Sequence, residues 1–316
     1  MTGLRKQSGL ALVIVIWVIS LLTVMAGSFA LSMRRETAVV ASIRDTAVIQ
    51  AYAESGVSLA QKMLSVQDKS KRWQANGSIY AVTIDGYPVR IKLLSERGKV
   101  DINRADEALL QKLFGSVVDE IGRQQALVSA ILDWRDSDDL VHVNGAEKEE
   151  YLQAGLNYTP ANRDFQQIEE LQNVLGMTAE IYQKIWPLIT LYSGQKGVDL
   201  QRADKAVLLA LTDLTEAQID DYLQQRKQNM VLGLPTPPLP GIIQSTTQSA
   251  DTDEVYSVIS QVQLAPGIEG GVRVVMKRNT ANDTEQLFQM LDWQPVYEEK
   301  SLFSDEMDNM LINESE

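Results

Sequence analysis

Hydrophobic and polar positions divide the chain into four textures. From Leu10 to Leu31, 22 residues carry no charge. At ~1.5 Å per residue, a helix of that length spans a ~30 Å hydrocarbon layer. Over 32–64 apolar positions recur among charges, with one glycine and no proline. The pattern predicts one long helix, apolar in its first half and amphipathic in its second. Two alternating runs, 79–84 and 88–94, then flank Asp85-Gly86 and predict a β-hairpin. From 101 to about 231 the texture is helical, rich in Leu, Ala, Gln and Glu. The stretch 232–253 holds four prolines among small polar residues and reads as an extended, poorly ordered linker. Strand texture returns over 254–298, and 299–316 reads as an acidic, frayed tail.

A helical block between two β-rich stretches is most economically an α+β fold. One antiparallel sheet (75–100 and 254–298) packs on the second half of the long helix (10–70), with an all-α domain (101–231) inserted between strands. Inside that block "VDINRADEALL" (100–110) is echoed by "VDLQRADKAVLL" (198–209), 98 residues on. Each copy opens a helix with Asp106 or Asp204 at or near its first turn, where negative charge is favoured. Residues 165–189 predict a helical hairpin with a turn at Gly176-Met177 and Thr178 as N-cap. Thr215 and Gln218 form a capping-box pattern before another helix.

Composition narrows the function. The net charge is −13, which opposes a nucleic-acid or anionic-membrane surface. Absence of cysteine excludes disulfides and thiolate chemistry. The single histidine, His142, excludes two-histidine zinc motifs, and no nucleophile elbow accompanies it. It reads as a surface residue of a polar loop. The helical hairpins share the outline of DNA-binding helix-hairpin-helix units, but lack a Gly-x-Gly turn and basic support.

The candidate chemistry lies in "DWRDSDDLVHVNGAEKEEY" (133–151), where seven acids and two bases give a local charge of −5. Such a run is either a solvated acidic loop or a cation site. Calcium wants six to eight oxygen ligands converging from a turning segment. Against an EF-hand loop beginning at Asp136, Asp138, Asn144 and Glu147 occupy ligand positions. Leu140 and Val141 break the pattern at positions five and six, so the segment is no EF-hand. Trp134 reads as a core anchor ending a helix over 124–134.

The N-terminal segment reads either as a plain signal anchor or as a prepilin-like leader. "RKQSG|LALVI" resembles the latter: a short basic stretch, a glycine, then the apolar helix. By that resemblance residues 1–9 are a leader, Gly9 is its last residue and Leu10 the first mature one. A prepilin peptidase would cleave there and the new N-terminus would be methylated. Most such proteins carry Glu at the fifth mature position, thought to pair with a neighbour's N-terminal amine during assembly. Here it is Ile14, as expected of a first or tip subunit.

Taken with "RGKVDINRAD", "DWRDSDD…GAEKEEYL", 158–193 and "VDLQRADKAVLLAL", the leader and helix resemble the K-type minor pseudopilins of bacterial type II secretion systems. The resemblance implies a pilin-like fold with a helical insertion. It places the protein at the tip of a short pseudopilus filament with I-type and J-type partners, anchored by a single pass in the inner membrane with its bulk in the periplasm, and without enzymatic activity. It implies a calcium site and nominates Asp133, Asp136, Asp138, Asp139, Glu147 and Glu150. Arg135 stands where an apolar residue is expected, so its side chain must turn away from the ion. Two other readings are a minor pilin of a type IV pilus or DNA-uptake system, and a membrane-anchored periplasmic enzyme.

Overall fold

The computed structural model describes residues 10–68, 71–241, 255–279, 287–296, 300–308 and 310–313. The leader, Gly9 included, lies outside them. Helix α1 runs unbroken from Leu10 to Leu64. It is the one described helix long and apolar enough to cross a membrane. Within the apolar span the Thr23 hydroxyl donates to the Ile19 carbonyl at 2.8 Å, which satisfies that hydroxyl within the helix where water is absent. Ile14 projects from this span, exposed among other aliphatics. Further along, Ala53, Val57, Ala60 and Leu64 are buried. Their helical spacing makes the stripe that lies on the sheet.

Strands β1 (Asn76–Ile84) and β2 (Tyr87–Ser95) form the expected hairpin. Asp85 and Gly86 both have positive φ, at 49° and 87°, the geometry of a tight turn that follows strand twist. The insertion begins with the two-residue strand β3 (Val100–Asp101). It continues through α2 (Glu107–Gly115), α3 (Ile121–Arg135), α4 (Lys148–Gln153), α5 (Ala179–Ile185), β4 (Ile189–Thr190), α6 (Lys205–Leu211) and α7 (Glu216–Val231). The sheet then resumes with β5 (Val255–Ala265), β6 (Ile268–Arg278) and β7 (Phe288–Val296). Its order is β7-β6-β5-β2-β1, with one more strand beyond β1.

The insertion fits because β2 and β5 are neighbours. Ser95, where the chain leaves the sheet, is paired with Tyr256, where it returns. A large domain can therefore hang from one end of two adjacent strands without breaking a ladder. Its helices start where side-chain caps satisfy free N–H groups. Asp106 accepts from Leu109 N at 2.9 Å, Asp204 from Val207 N at 3.2 Å, and Thr178 from Ile181 N at 3.3 Å. Thr215 and Gln218 cap reciprocally. The hairpin at 165–189 differs from expectation in its first arm, a 3₁₀ turn over Ile168–Asn173 instead of an α-helix.

Two segments depart from the sequence reading. The supposed tail supplies a short helix α8 (Asp305–Asp308) and strand β8 (Leu311–Asn313), which lies parallel to β1 at the sheet edge. Leu302 is buried with Ile79, Leu94, Ile259 and Val296 on the sheet face opposite α1. The acids hid an apolar spacing (Leu302, Met307, Met310, Leu311) that the sheet's second face required. In the Pro-rich stretch, Leu239 is buried in the helical core, and 242–253 lie outside the described residues.

The hydrophobic core of the insertion is separate from that between α1 and the sheet. The seam between them is polar. Glu96 accepts from Lys99 Nζ at 2.7 Å and Ser257 Oγ at 2.5 Å, and also from Thr190. Arg226 of α7 donates to the Ala203 carbonyl at 2.8 Å and to the Asn76 carbonyl on β1 at 2.5 Å. The Arg273 guanidinium of β6 stacks 4.2 Å from the Trp186 ring. Buried polar groups tolerate only arrangements in which each finds a partner. The seam therefore fixes how the helical domain is oriented on the sheet.

Candidate metal centre

Helix α3 carries Asp133 in its last turn and ends at Arg135, with Trp134 facing inward. Trp134 stacks on Phe165 with centroids 5.9 Å apart and rings 8° from parallel, so it is the core anchor expected. Arg135 turns away from the acids, donating through its two terminal nitrogens to the Ile102 and Ala105 carbonyls.

The chain beyond α3 wraps around Asp133, which is fully buried. One carboxylate oxygen accepts the His142 backbone N–H at 3.1 Å and meets the His142 ring; the other accepts Ala146 N–H at 2.7 Å. Asn144 takes positive φ at 63°, and Gly145 passes directly over the carboxylate. A Cβ on Gly145 would stand 2.0 Å from Asp133 Oδ2 and 3.0 Å from the His142 carbonyl. Gly145→Ala is accordingly expected to displace the Asp133 carboxylate and destabilise the domain by about 1–3 kcal/mol, measurable by urea denaturation.

Around this anchor the other acids fall into two groups. Asp136 and Glu147 turn inward, and each has one buried oxygen, Oδ1 and Oε1 respectively, without a hydrogen-bond donor. Burial, then Asp133 and the other carboxylates, pushes Glu147 up to about 7. Burial, then Asp138 and Asp133, raises Asp136. Buried acceptors with no donor and mutually repelling carboxylates are costly unless a cation lies among them. Asp138 and Asp139 are exposed and occupied locally. Asp138 Oδ1 accepts Leu140 N–H, and Asn162 Nδ2 donates to Asp139 Oδ1 at 3.0 Å. Glu150 accepts the Glu147 backbone N–H at 2.9 Å, so one of its oxygens caps α4.

Two residues were missed from sequence. His142 is no free loop residue: its ring lies against Asp133, with Nδ1 3.8 Å from Asp136 Oδ2. Its place inside the acidic run was the available signal. Asn162 reaches the loop from 24 residues beyond Asp138 with positive φ, and its own Oδ1 is buried without a donor. No local pattern links it to the acids. The donor set fits a hard dication, with carboxylate oxygens from Asp133, Asp136 and Glu147 and an amide oxygen at the rim.

Residues 91–194, which contain this centre, match the family model for protein K of the type II secretion system. This region is similar to a protein K domain. The K-type resemblance extends beyond it. The chain is 26% identical over 249 residues to type II secretion system protein K of Klebsiella pneumoniae, covering 70% of this chain and 76% of that protein. It is 24% identical over 247 residues to protein K of Pseudomonas aeruginosa, covering 70% and 73%. In structure it is similar to a chain of the GspK–GspI–GspJ complex from the enterotoxigenic Escherichia coli type 2 secretion system. The TM-score is 0.53 at 21% identity, over 78% of this chain and 95% of that one. The α+β fold, with a long helix on a mostly antiparallel sheet, is thus shared, and the matched region runs from within β2 through β4, the first part of the insertion between β2 and β5.

Proposed function

We propose that this chain is a non-enzymatic minor pseudopilin that starts or caps the tip of a type II secretion pseudopilus and helps export folded proteins across the outer membrane. The observation that carries the reading is an inserted helical domain whose first part matches the protein K model, set in a sheet that rides on one unbroken helix with a 22-residue uncharged span. The helix holds the subunit in the inner membrane and then packs among neighbouring helices as the filament is extruded. The domain hangs from one end of β2 and β5, where its bulk obstructs a further subunit above it. Ile14 supports the same place in the assembly, since it cannot offer a carboxylate to the amine of a subunit already docked.

The partners by this reading are an I-type and a J-type minor pseudopilin, as in the Escherichia coli complex, together with the filament and a prepilin peptidase. The insertion is stabilised by calcium held by Asp133, Asp136 and Glu147, with Asp138, Asp139 and Glu150 at its rim. Bound there, the ion neutralises the crowded carboxylates and fixes the 136–147 loop. A type IV pilus minor pilin would share the helix and sheet; the match to the protein K model favours secretion.

The reading predicts that co-expression with a prepilin peptidase yields a mature N-terminus at Leu10, read by N-terminal sequencing. It also predicts that the full chain co-purifies from detergent with I-type and J-type subunits of the same system. An intact leader, or cleavage beyond residue 28, would refute the processing. Failure to bind either partner would refute the tip assignment.

A further inference from the structure

We propose that His142 supplies a nitrogen ligand to the carboxylate centre, so that the centre takes a borderline transition-metal dication such as Zn²⁺ in competition with calcium. The proposal rests on reading the carboxylates as a cation site and adds the choice of metal.

Three observations point to it. The candidate ligand atoms of Asp133, Asp136 and His142 all lie within 4.8 Å of one another. The His142 nitrogen turned toward the acids is Nδ1, 3.8 Å from Asp136 Oδ2. Donors about 2.0–2.2 Å from a tetrahedral zinc are spaced about 3.3–3.6 Å apart, so Nδ1 and Asp136 need close only slightly while the ring backs off from its contact with Asp133 to admit the ion. Independently, Glu147 is only 6% exposed, and its Oε1 lacks any donor while facing the same acids. The close set is one imidazole and two carboxylates, and a turn of the Glu147 side chain would bring a third carboxylate to the fourth position. The histidine side chain is 46% exposed, which leaves a route in for the ion.

The chemistry separates the two metals. Calcium prefers six to eight oxygens and gains little from imidazole. Zinc accepts four ligands and binds imidazole well. On ligation, Nδ1 gives up the proton it shares with Asp133 and places its lone pair on the metal, and that proton leaves to solvent. His142 would thus favour zinc while leaving the calcium set nearly intact.

The sequence contains one histidine, so its ring resonances are unambiguous in an untagged chain. The test is titration of the full chain in detergent with ZnCl₂ and with CaCl₂, followed by calorimetry and by the imidazole signals in nuclear magnetic resonance. We expect one equivalent of Zn²⁺ to bind, to shift the histidine signals, and to be displaced by excess Ca²⁺. His142→Gln should weaken Zn²⁺ by about tenfold or more, with Ca²⁺ affinity unchanged. His142→Asp should keep Ca²⁺ and lose the zinc preference. Absence of Zn²⁺ binding, simultaneous binding of both ions, or an equal loss of both in His142→Gln would overturn the proposal. The last result would mean that the ring only orders the loop through Asp133. Histidine-dependent Zn²⁺ binding without any Ca²⁺ binding would uphold the nitrogen ligand but overturn the competition, and with it the calcium reading.

Discussion

Lys99→Met is expected to lower the stability of the folded region by about 3–5 kcal/mol, the cost of leaving one member of a buried ion pair alone. Lys99 and Glu96 side chains are 5% and 2% exposed, so solvent cannot take over the lost partner's role. Burial works against the charged form of Glu96, yet Lys99, Ser257 and Thr190 outweigh it and hold the carboxyl below its ordinary value. Lys99 is pushed down chiefly by burial, against the pull of Glu96, and Arg273 adds to the depression. Removing Lys99 therefore strands a carboxylate between sheet and insertion. A Glu96→Leu, Lys99→Met double variant should recover most of the loss, since the apolar pair leaves no buried charge. Unpaired hydroxyls on Ser257 and Thr190 should retain about 1–3 kcal/mol of it. Chemical denaturation of the three proteins decides the matter. A single variant within 1 kcal/mol of the parent would show the seam to be wet and the pair expendable. Because the folded value of Glu96 is depressed, its contribution is present above the unfolded carboxylate value. It is lost as pH falls through the folded one, so acid should loosen the seam only below about pH 4.

The second large effect concerns the candidate metal centre. With calcium at a hundredfold excess over its dissociation constant, binding to the folded state alone adds about 2.7 kcal/mol. For a folded region of this size that raises the melting temperature by roughly 5–10 °C. Chelator should remove the increment. Glu147→Gln should abolish the response to calcium and yet melt higher than the parent in chelator. The amide ends both the cost of burying a charge, which chiefly pushes Glu147 up, and the repulsion from Asp133 and Asp136. That crossing of effects separates a metal site from a merely destabilised loop. A parent protein whose melting is the same in calcium and in chelator would leave the acids as a solvated loop.

Much of the architecture follows from local pattern. The uncharged span and the spacing of Ala53, Val57, Ala60 and Leu64 give the long helix. Asp85-Gly86 between alternating runs gives the hairpin, and Asp204, Thr178 and Thr215 mark helix starts. These signals are legible because each is satisfied within a few residues, by a period, a turn geometry or a cap. The acidic run was legible in the same way, including the outward turn required of Arg135, since an excess of like charge in a short segment is a local property.

What the sequence by itself determined, then, is the set of elements and where like charge gathers. The tertiary structure alone decided what meets across distance. It paired Ser95 with Tyr256 and so allowed the insertion. It set Glu96 against Ser257 and Thr190, and added β8 to an edge whose apolar spacing was masked by acids. At the candidate metal centre it buried Asp133 beneath Gly145 and turned Glu147 inward while committing one Glu150 oxygen to a helix cap. It also brought His142 and Asn162 to the rim. These outcomes depend on which groups lose their water when separate segments pack, and no periodicity within a single segment encodes that.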